Sequence, residues 1–316
     1  MRLSYVAFFA STATALSFPH VSSVTKLFAR KGGDDGNGKC PAIWGTISKD
    51  LTSRFLTNGQ CNPDARAAIR AVFHDCGAWN TAQGATGGCD GSLALAPGEI
   101  DRDENKGLAN IISTLKNLAS QYKVGVADMI VFAGNHAIVT CPGGPRVQTW
   151  IGRKDSTTPA PNGLLPDVNA PAADLSALFT AKGFSDRDLA ALLGAHSTSN
   201  QFNFDTSTSN VGKPQDSTPG IWDVKYYSET LNPPQGVVVF PSDSKLAKYA
   251  GVGKEFSGFV NNAGKWNGKF ADAMAKMALF GSGGKTSGMS DCTDSLPKET
   301  NAKREVKATN PFMPRN

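Results

Sequence analysis

Apolar residues recur at helical spacing through most of the chain after Cys40. This periodicity predicts helices over residues 43–58, 62–75, 107–122, 126–139, 175–182, 185–196 and 256–280, with a further short helix within 222–230. Residues 126–139 are apolar on nearly every side, which predicts a buried central helix. Residues 142–171 are rich in Pro and Gly and are predicted to be extended, and residues 237–240 are the best strand candidate. The sequence therefore predicts a mainly α fold.

The predicted helix over 62–75 carries polar side chains on an otherwise apolar surface. Asn62 can cap its first turn, and Pro63 suits the position after the cap. Arg70 and His74 are four residues apart and therefore share one face. Burying a cation and an imidazole costs free energy unless a polar group or a metal receives them. Taken alone, these residues favour a partly buried ion pair and a core histidine over a functional site.

The first 24 residues have the pattern of a secretory signal. Arg2 precedes an apolar run at 5–10, and small residues follow it. We predict a signal peptide over 1–17 and a propeptide or linker over 18–39, where a dibasic pair precedes a Gly-rich stretch. The alternatives are a membrane anchor for the first segment and a plain linker for the second. The membrane anchor is less favoured than the signal peptide, so the protein is predicted to be secreted and extracellular.

The length of 316 residues allows one large domain or two lobes, and 40% hydrophobic with 19% charged residues is ordinary for a globular enzyme. The net charge of +5 comes from the ends of the chain. Residues 1–39 carry +3 and residues 293–316 carry +2, which leaves residues 40–292 neutral. The charge thus gives no indication of a nucleic-acid or membrane partner. Residues 293–316 are polar and basic and are predicted to form a flexible tail.

Six cysteines follow the signal region: Cys40, Cys61, Cys76, Cys89, Cys141 and Cys292. An even number of cysteines in a secreted chain predicts three disulfides, although spacing alone leaves fifteen pairings open. The spacings do not form the paired pattern that is typical of a zinc site.

Loops rich in oxygen ligands follow two of the histidines. His74 precedes Asp75 and the segment 88–92, and His196 precedes Ser197 and the segment 216–223. Carboxylates, hydroxyls and carbonyls at alternating positions are the ligands that Ca²⁺ prefers. Either loop alone would more often be an ordinary polar turn. Two such loops, each behind a histidine at the end of a buried helix, indicate a site.

Six motifs together resemble the plant-type haem peroxidase superfamily, and their order and spacing are most similar to its secreted fungal class II. The motifs are Arg70-Ala-Val-Phe-His74-Asp75, Gly88-Cys-Asp-Gly-Ser92, Asn105-Lys-Gly-Leu108, Leu193-Gly-Ala-His-Ser197, Asp216-Ser-Thr-Pro-Gly-Ile-Trp-Asp223 and Ser242-Asp243-Ser. The resemblance covers residues 40–292. It implies a two-lobed helical fold, with a distal lobe over about 40–165, a proximal lobe over about 166–292, and one haem b between the lobes.

The resemblance implies a role for residues on both faces of the haem. His196 would be the axial ligand of the iron, and Asp243 would accept a hydrogen bond from the other nitrogen of that ring. His74 would be the acid–base catalyst on the opposite face, and Arg70 would stabilise negative charge that develops there. Asn105 would orient His74, and Glu99 would link the distal calcium region to the pocket. Phe73 would pack over the haem.

The resemblance also implies two structural calcium ions and a disulfide pairing. The distal calcium ligands would be Asp75, Gly88, Asp90 and Ser92, and the proximal ligands would be Ser197, Asp216, Thr218, Ile221 and Asp223. The disulfides would be Cys40–Cys292, Cys61–Cys141 and Cys76–Cys89. The remaining histidine of this region, His136, is at no ligand position and is predicted to be structural.

The activity that the resemblance implies is reduction of hydrogen peroxide, coupled to oxidation of phenols or similar small aromatic donors in two one-electron steps. The protein would be a monomer. The alternative is a secreted, calcium-stabilised binding protein that has lost haem chemistry. Retention of the five residues expected around the iron favours the enzyme; they are Arg70, His74, Asn105, His196 and Asp243.

The chain departs from the family at positions that determine which donors are used. The three acidic manganese ligands of manganese peroxidases would fall at Pro63, Ala67 and near Phe202, so manganese oxidation is not predicted. The surface tryptophan of lignin peroxidases would fall at Ala191. Gln215 stands where the fungal enzymes usually carry Phe beneath the haem, which changes the polarity expected on that side.

Overall fold

The computed structural model describes residues 39–298, and the fold within this range is mainly α, as predicted. The predicted signal peptide, nearly all of the predicted propeptide or linker, and the tail from residue 299 onward lie outside the described residues. The α-helices are α1 (Ile43–Phe55), α2 (Pro63–Cys76), α3 (Ser92–Leu95), α4 (Ala109–Tyr122), α5 (Val126–Thr140), α6 (Ala172–Ala181), α7 (Asp186–Leu193), α8 (Lys225–Leu231), α9 (Pro241–Leu246), α10 (Ala250–Ser257) and α11 (Ala263–Met277).

Helix α5 is the centre of the first half of the fold. Each of its residues is buried, as the sequence predicted, and α1, α2 and α4 pack against it. Gly134 allows α2 to approach closely, since a Cβ at this position would overlap the side chain of Val72. His136 lies in the same helix and has partners on both ring nitrogens, through the Ser48 carbonyl at 2.8 Å and the Thr140 hydroxyl at 3.0 Å. These contacts agree with the structural role predicted for His136.

Helix α7 has the corresponding position in the second half, where α10 and α11 pack against it. The pattern Ser185-Asp-Arg-Asp188 indicates a capping box, and Ser185 and Asp188 form one at the start of α7. The α-helix ends at Leu193 and continues as a 3₁₀ turn over Gly194–Thr198. His196 therefore lies in this tighter turn and not in the α-helix itself.

The described residues contain three disulfides and two short antiparallel strand pairs. The disulfides are Cys40–Cys292, Cys61–Cys141 and Cys76–Cys89, which are the pairs that the resemblance implied. The strand pairs are β1 (Leu56–Thr57) with β2 (Gln60–Cys61) and β3 (Trp150–Ile151) with β4 (Ser290–Asp291). The first disulfide closes a loop of 252 residues, and closure of a long loop restricts the unfolded chain strongly.

The strand predicted over 237–240 is wrong, because this segment has no partner strand. Val238 donates its N–H to the carbonyl of Pro214 at 2.9 Å, and no ladder continues from that bond within the described chain. A run of β-branched residues favours extended backbone, but a strand also needs a neighbour. The following helix, α9, was not predicted, and it carries Asp243.

The single helix predicted over 256–280 is also wrong, since the structure has α10 and α11 there. Asn261 adopts a left-handed conformation with φ of 55°, and the side chain of Asn262 caps α11 by accepting a hydrogen bond from the Lys265 N–H. Asparagine tolerates this backbone better than most residues and is a preferred cap. The apolar spacing continues across the break, which is why the pattern resembled one helix.

The described chain contains no helix that is long and apolar enough to cross a membrane. At the carboxyl end, the first residues of the predicted tail pack on the fold. Thr293–Ser295 form a 3₁₀ turn, and Leu296 is buried. The packed part of the chain therefore extends a few residues beyond Cys292.

Gly194→Ala should destabilise the protein by about 1–3 kcal/mol. A Cβ at Gly194 would overlap the Trp266 indole nitrogen and the Tyr227 hydroxyl, which bind carbonyls at the end of α7. Gly268→Ala is the matched control: its Cβ would meet nothing within 4 Å, and removal of a helical glycine should stabilise by about 0.5–1 kcal/mol. Denaturant unfolding measures both changes, and equal effects at the two positions would contradict this account.

Candidate active site

Helix α2 places His74 and Arg70 together on one face. Asn62 caps the helix by accepting hydrogen bonds from two backbone N–H groups, as predicted. His74 Nδ1 lies 2.8 Å from Asn105 Oδ1, and Arg70 Nε donates to His74 Nε2 at 3.1 Å. The network assigns the hydrogen to Nδ1, because Nε2 faces a donor. His74 therefore has Nε2 as its basic nitrogen.

Asn105 is itself held in place by a line of polar contacts. Its Nδ2 donates to the backbone carbonyl of Glu99 at 2.7 Å. The Glu99 carboxylate accepts from the Ser92 hydroxyl at 3.3 Å and from the Ala160 N–H at 2.7 Å, and it is almost fully buried. The contacts run from Ser92 through Glu99 and Asn105 to His74. The resemblance implied that Glu99 links the distal calcium region to the pocket.

The surroundings of His74 favour its neutral form. Burial and, to a smaller extent, the Arg70 cation lower its pKa to about 3, and the hydrogen bond to Asn105 opposes the shift. Two more hydrogen bonds fix the guanidinium of Arg70, to the carbonyls of Lys106 at 2.8 Å and Glu104 at 2.9 Å. A neutral imidazole beside a fixed cation can accept a proton while the cation stabilises the resulting anion.

His196 has a charged partner where His74 has a neutral amide, since its Nδ1 is hydrogen-bonded to a carboxylate. The distance from His196 Nδ1 to Asp243 Oδ2 is 2.8 Å, and Asp243 is buried whereas the His196 side chain is 32% exposed. Phe240 and Tyr226 meet the imidazole edge-on, with centroids 5.7 and 5.8 Å away. Because Nδ1 is engaged and Nε2 has no hydrogen bond to any described residue, Nε2 is available as a ligand.

The Lys106 carbonyl connects the residues around His74 with the segment that follows His196. The Lys106 carbonyl accepts from Arg70 and also from Asn203 Nδ2 at 3.2 Å, which lies in the segment that follows His196. Phe73 meets His74 edge-on at 5.7 Å and stacks on Phe179 of α6, with centroids 6.4 Å apart. The first half of the fold thus contacts the second half next to His74 and Arg70.

The predicted distal calcium ligands include the buried carboxylate of Asp75. Asp75 accepts backbone hydrogen bonds from Gly91 at 3.1 Å and Leu93 at 3.3 Å. Burial raises the pKa of Asp75, and the nearby Asp90 and Glu99 carboxylates raise it further. The Gly88 carbonyl accepts a hydrogen bond from the Asp90 N–H at 2.9 Å. A bound cation would offset this concentration of acidic groups.

The predicted proximal ligands include two buried oxygens without a partner. Ser197 Oγ and Asp216 Oδ2 make no hydrogen bond with the described residues. Burial, with smaller contributions from the Asp223 and Glu229 carboxylates, raises the pKa of Asp216 to about 7. Two contacts order the rest of the loop: the Thr218 hydroxyl donates to Asp223 at 2.8 Å, and the Ile221 N–H donates to the Thr218 carbonyl at 2.9 Å.

Comparison with known proteins agrees with this geometry. The sequence profile of the family described as Peroxidase matches residues 47–262. The chain belongs to the peroxidase family. Similar proteins include the low-redox potential peroxidase of Taiwanofungus camphoratus, with 32% identity over 75% of this chain and 73% of that protein. Ligninase C of Trametes versicolor is 31% identical over 83% and 76% of the two chains, and manganese peroxidase 3 of Phlebia radiata is 29% identical over 85% and 81%.

Haem is the cofactor that membership of the peroxidase family implies, and the residues of this peroxidase fit it. His196 offers a free Nε2 from a ring that is partly exposed, while Asp243 fixes the ring through Nδ1. His74, Arg70 and Phe73 are also partly exposed, although half of the residues of their helix are buried. Within residues 39–298, no three His, Cys, Asp or Glu side chains form a metal site of their own. A calcium site in this peroxidase would therefore need hydroxyl and carbonyl oxygens as well.

Sequence reasoning missed three contacts of the peroxidase site. Gln215 Nε2 donates to Asp243 at 3.3 Å, Ser242 Oγ donates to the other oxygen of Asp243 at 3.1 Å, and the Lys106 carbonyl binds Arg70. Ser242 lies beside Asp243 in the sequence and could have been suggested as a partner. Gln215 and Lys106 act across 28 and 36 positions, and no local pattern indicates such pairs.

Proposed function

We propose that this peroxidase is a secreted enzyme that reduces hydrogen peroxide and oxidises phenols and similar small aromatic donors in one-electron steps. The observation that carries the proposal is the contrast between its two site histidines. His74 is held through Nδ1 by a neutral amide, and His196 is held through Nδ1 by a carboxylate. His196 Nε2 would hold the iron of haem b. The three disulfides support secretion, because such bonds persist in oxidising compartments.

Each protein group has a defined task in this proposal. Bound haem supplies the iron at which peroxide is reduced and the electrons for cleaving its O–O bond. His74 Nε2 accepts a proton from hydrogen peroxide and returns it to the oxygen that leaves as water. Arg70 stabilises the negative charge that develops on that oxygen, and it cannot release its own proton. Asn105 keeps the His74 hydrogen on Nδ1, so that Nε2 stays basic.

His74→Ala should slow the reaction with peroxide by about 10²–10⁴-fold, because proton transfer is lost. The variant should keep its haem spectrum, since His196 is untouched. Asn105→Leu, which removes only the orienting hydrogen bond, should lose about 10–100-fold. Stopped-flow absorbance of the haem band measures both rates, with the exposed Asn110→Leu as control. Reaction of His74→Ala at the wild-type rate would show the assigned role to be wrong.

The same measurement distinguishes the alternative function. Purified wild-type protein without a haem band, or with a haem band that peroxide does not change, would indicate the calcium-stabilised binding protein instead.

Turnover of a phenol without oxidation of Mn²⁺ is expected. Pro63, Ala67 and Phe202 supply no carboxylate, and Phe202 is 59% exposed at the position expected near the third ligand. Ala191 is fully buried and cannot relay electrons from the surface, so a non-phenolic lignin compound should also react poorly. Steady-state assays with the three donors test this. Saturable Mn²⁺ oxidation by the wild type would contradict it, and the variant Pro63→Glu/Ala67→Glu/Phe202→Asp serves as the positive comparison.

We also propose two structural calcium ions, one at each predicted oxygen-rich loop. The unpartnered Ser197 Oγ and Asp216 Oδ2 support the proximal ion, and the buried Asp75 beside Asp90 and Glu99 supports the distal one. Each ion would stabilise the segment that carries one of the two histidines. Backbone carbonyls, including that of Gly88, would complete the ligand sets.

Removal of calcium with EGTA should lower the unfolding temperature. A ligand at 100 times its Kd contributes about 3 kcal/mol to stability. Added Ca²⁺ should restore the lost stability, and Asp216→Asn should reduce the response while the exposed Asp101→Asn does not. Thermal unfolding followed by circular dichroism measures these changes. An identical response from wild type and Asp216→Asn would exclude the proximal site.

A further inference from the structure

Gln215 contacts the carboxylate that holds His196. The side chain is buried, and its Nε2 donates to Asp243 Oδ2 at 3.3 Å. The same oxygen accepts the hydrogen of His196 Nδ1 at 2.8 Å. Gln215 and His196 therefore compete for the electron density of one carboxylate oxygen.

The orientation of the Gln215 amide is fixed by its neighbour. If the amide were reversed, its carbonyl oxygen would face the Asp243 carboxylate, and two acceptors would repel each other. In the observed orientation, Gln215 Oε1 is buried without a hydrogen-bond partner among the described residues. An unpaired buried carbonyl reduces stability. A leucine of similar volume would avoid this cost, so the amide contributes something other than stability.

The Gln215 amide changes the strength of the hydrogen bond that Asp243 accepts from the His196 imidazole. A carboxylate that accepts the Nδ1 hydrogen makes a histidine more basic and a stronger electron donor to a metal at Nε2. Each additional donor to the carboxylate reduces this effect, because it withdraws negative charge from the same group. Gln215 donates to the shared oxygen of Asp243 and Ser242 donates to the other, and the buried Tyr226 hydroxyl also faces this carboxylate.

We propose that Gln215 is a positioning residue that weakens the electron donation of His196 and so raises the reduction potential of the haem iron. The inference rests on the proposed function, in which His196 binds that iron. Electron donation by His196 stabilises the ferric form more than the ferrous form. Weaker donation therefore raises the ferric/ferrous potential. Second-shell hydrogen bonding is one of the means by which a protein sets the potential of a haem.

Replacement of Gln215 by Leu tests the proposal on the haem-loaded protein. The ferric/ferrous potential, measured by spectroelectrochemistry, should move to a more negative value. The iron–histidine stretching frequency of the ferrous protein, measured by resonance Raman spectroscopy, should rise because His196 becomes the stronger ligand. Ser242→Ala should shift both quantities in the same direction but by less, because Ser242 binds the oxygen that does not contact His196.

Asp243→Asn provides the opposite control, since it removes the carboxylate and should raise the potential and lower the frequency. In the Asp243→Asn background, Gln215→Leu should have little further effect, because no carboxylate remains for Gln215 to influence. Gln215→Met replaces the Leu variant if the latter does not fold.

The outcomes separate this inference from the proposed function. A normal haem spectrum and peroxide reaction, with a potential that Gln215→Leu leaves unchanged or makes more positive, would overturn the role of Gln215 alone. Equal shifts from Gln215→Leu in the presence and absence of Asp243 would also overturn it, because the effect would then bypass the carboxylate. Wild-type protein whose haem iron is not bound by His196 would overturn both proposals.

Discussion

A hydrogen bond from Nδ1 fixes the chemistry of both site histidines. Each imidazole donates its Nδ1 hydrogen to a held oxygen, which leaves Nε2 as the nitrogen that can act. The partners differ in charge. Asn105 is neutral and leaves His74 a weak base whose pKa burial lowers to about 3. Asp243 is a carboxylate, which makes the imidazole of His196 a stronger electron donor. One residue type thus suits two tasks because its neighbours differ.

The two partner oxygens are positioned by different means. Asn105 is held by the Glu99 carbonyl, and the Glu99 side chain in turn binds Ser92 and the Ala160 N–H. This line is buried and involves neutral donors. Asp243 lies in α9, where its carboxylate receives three side-chain donors and is almost fully buried. A shift of the first line of contacts would reorient His74, whereas a change in the donors to Asp243 would alter the charge of the carboxylate that His196 contacts.

Local rules predicted the parts of the site that depend on near neighbours in sequence. The Asn62 cap, the Ser185 capping box and the fully apolar pattern of α5 each specify their own segment, and the structure contains all three. The strand predicted from the apolar run at 237–240 and the single helix predicted from the run at 256–280 were wrong. Strand pairing depends on other segments, and the helix break depends on the backbone conformation at Asn261. The contact of Gln215 with Asp243 depends on how α9 packs, so sequence spacing could not reveal it.

In the proposed function, the choice of donor depends on where the polar groups lie. By the resemblance, the positions associated with manganese and with a surface tryptophan would hold Pro63, Ala67, a residue near Phe202 and Ala191, and none of these side chains binds a cation or is oxidised readily. The unusual polar residue is instead inside, at Gln215 against Asp243. A group on the surface selects donors by binding them, whereas a hydrogen bond behind the axial ligand selects them by how hard they are to oxidise. On the proposed role of Gln215, the hydrogen bonds to the Asp243 carboxylate would be where this peroxidase adjusts its range of donors.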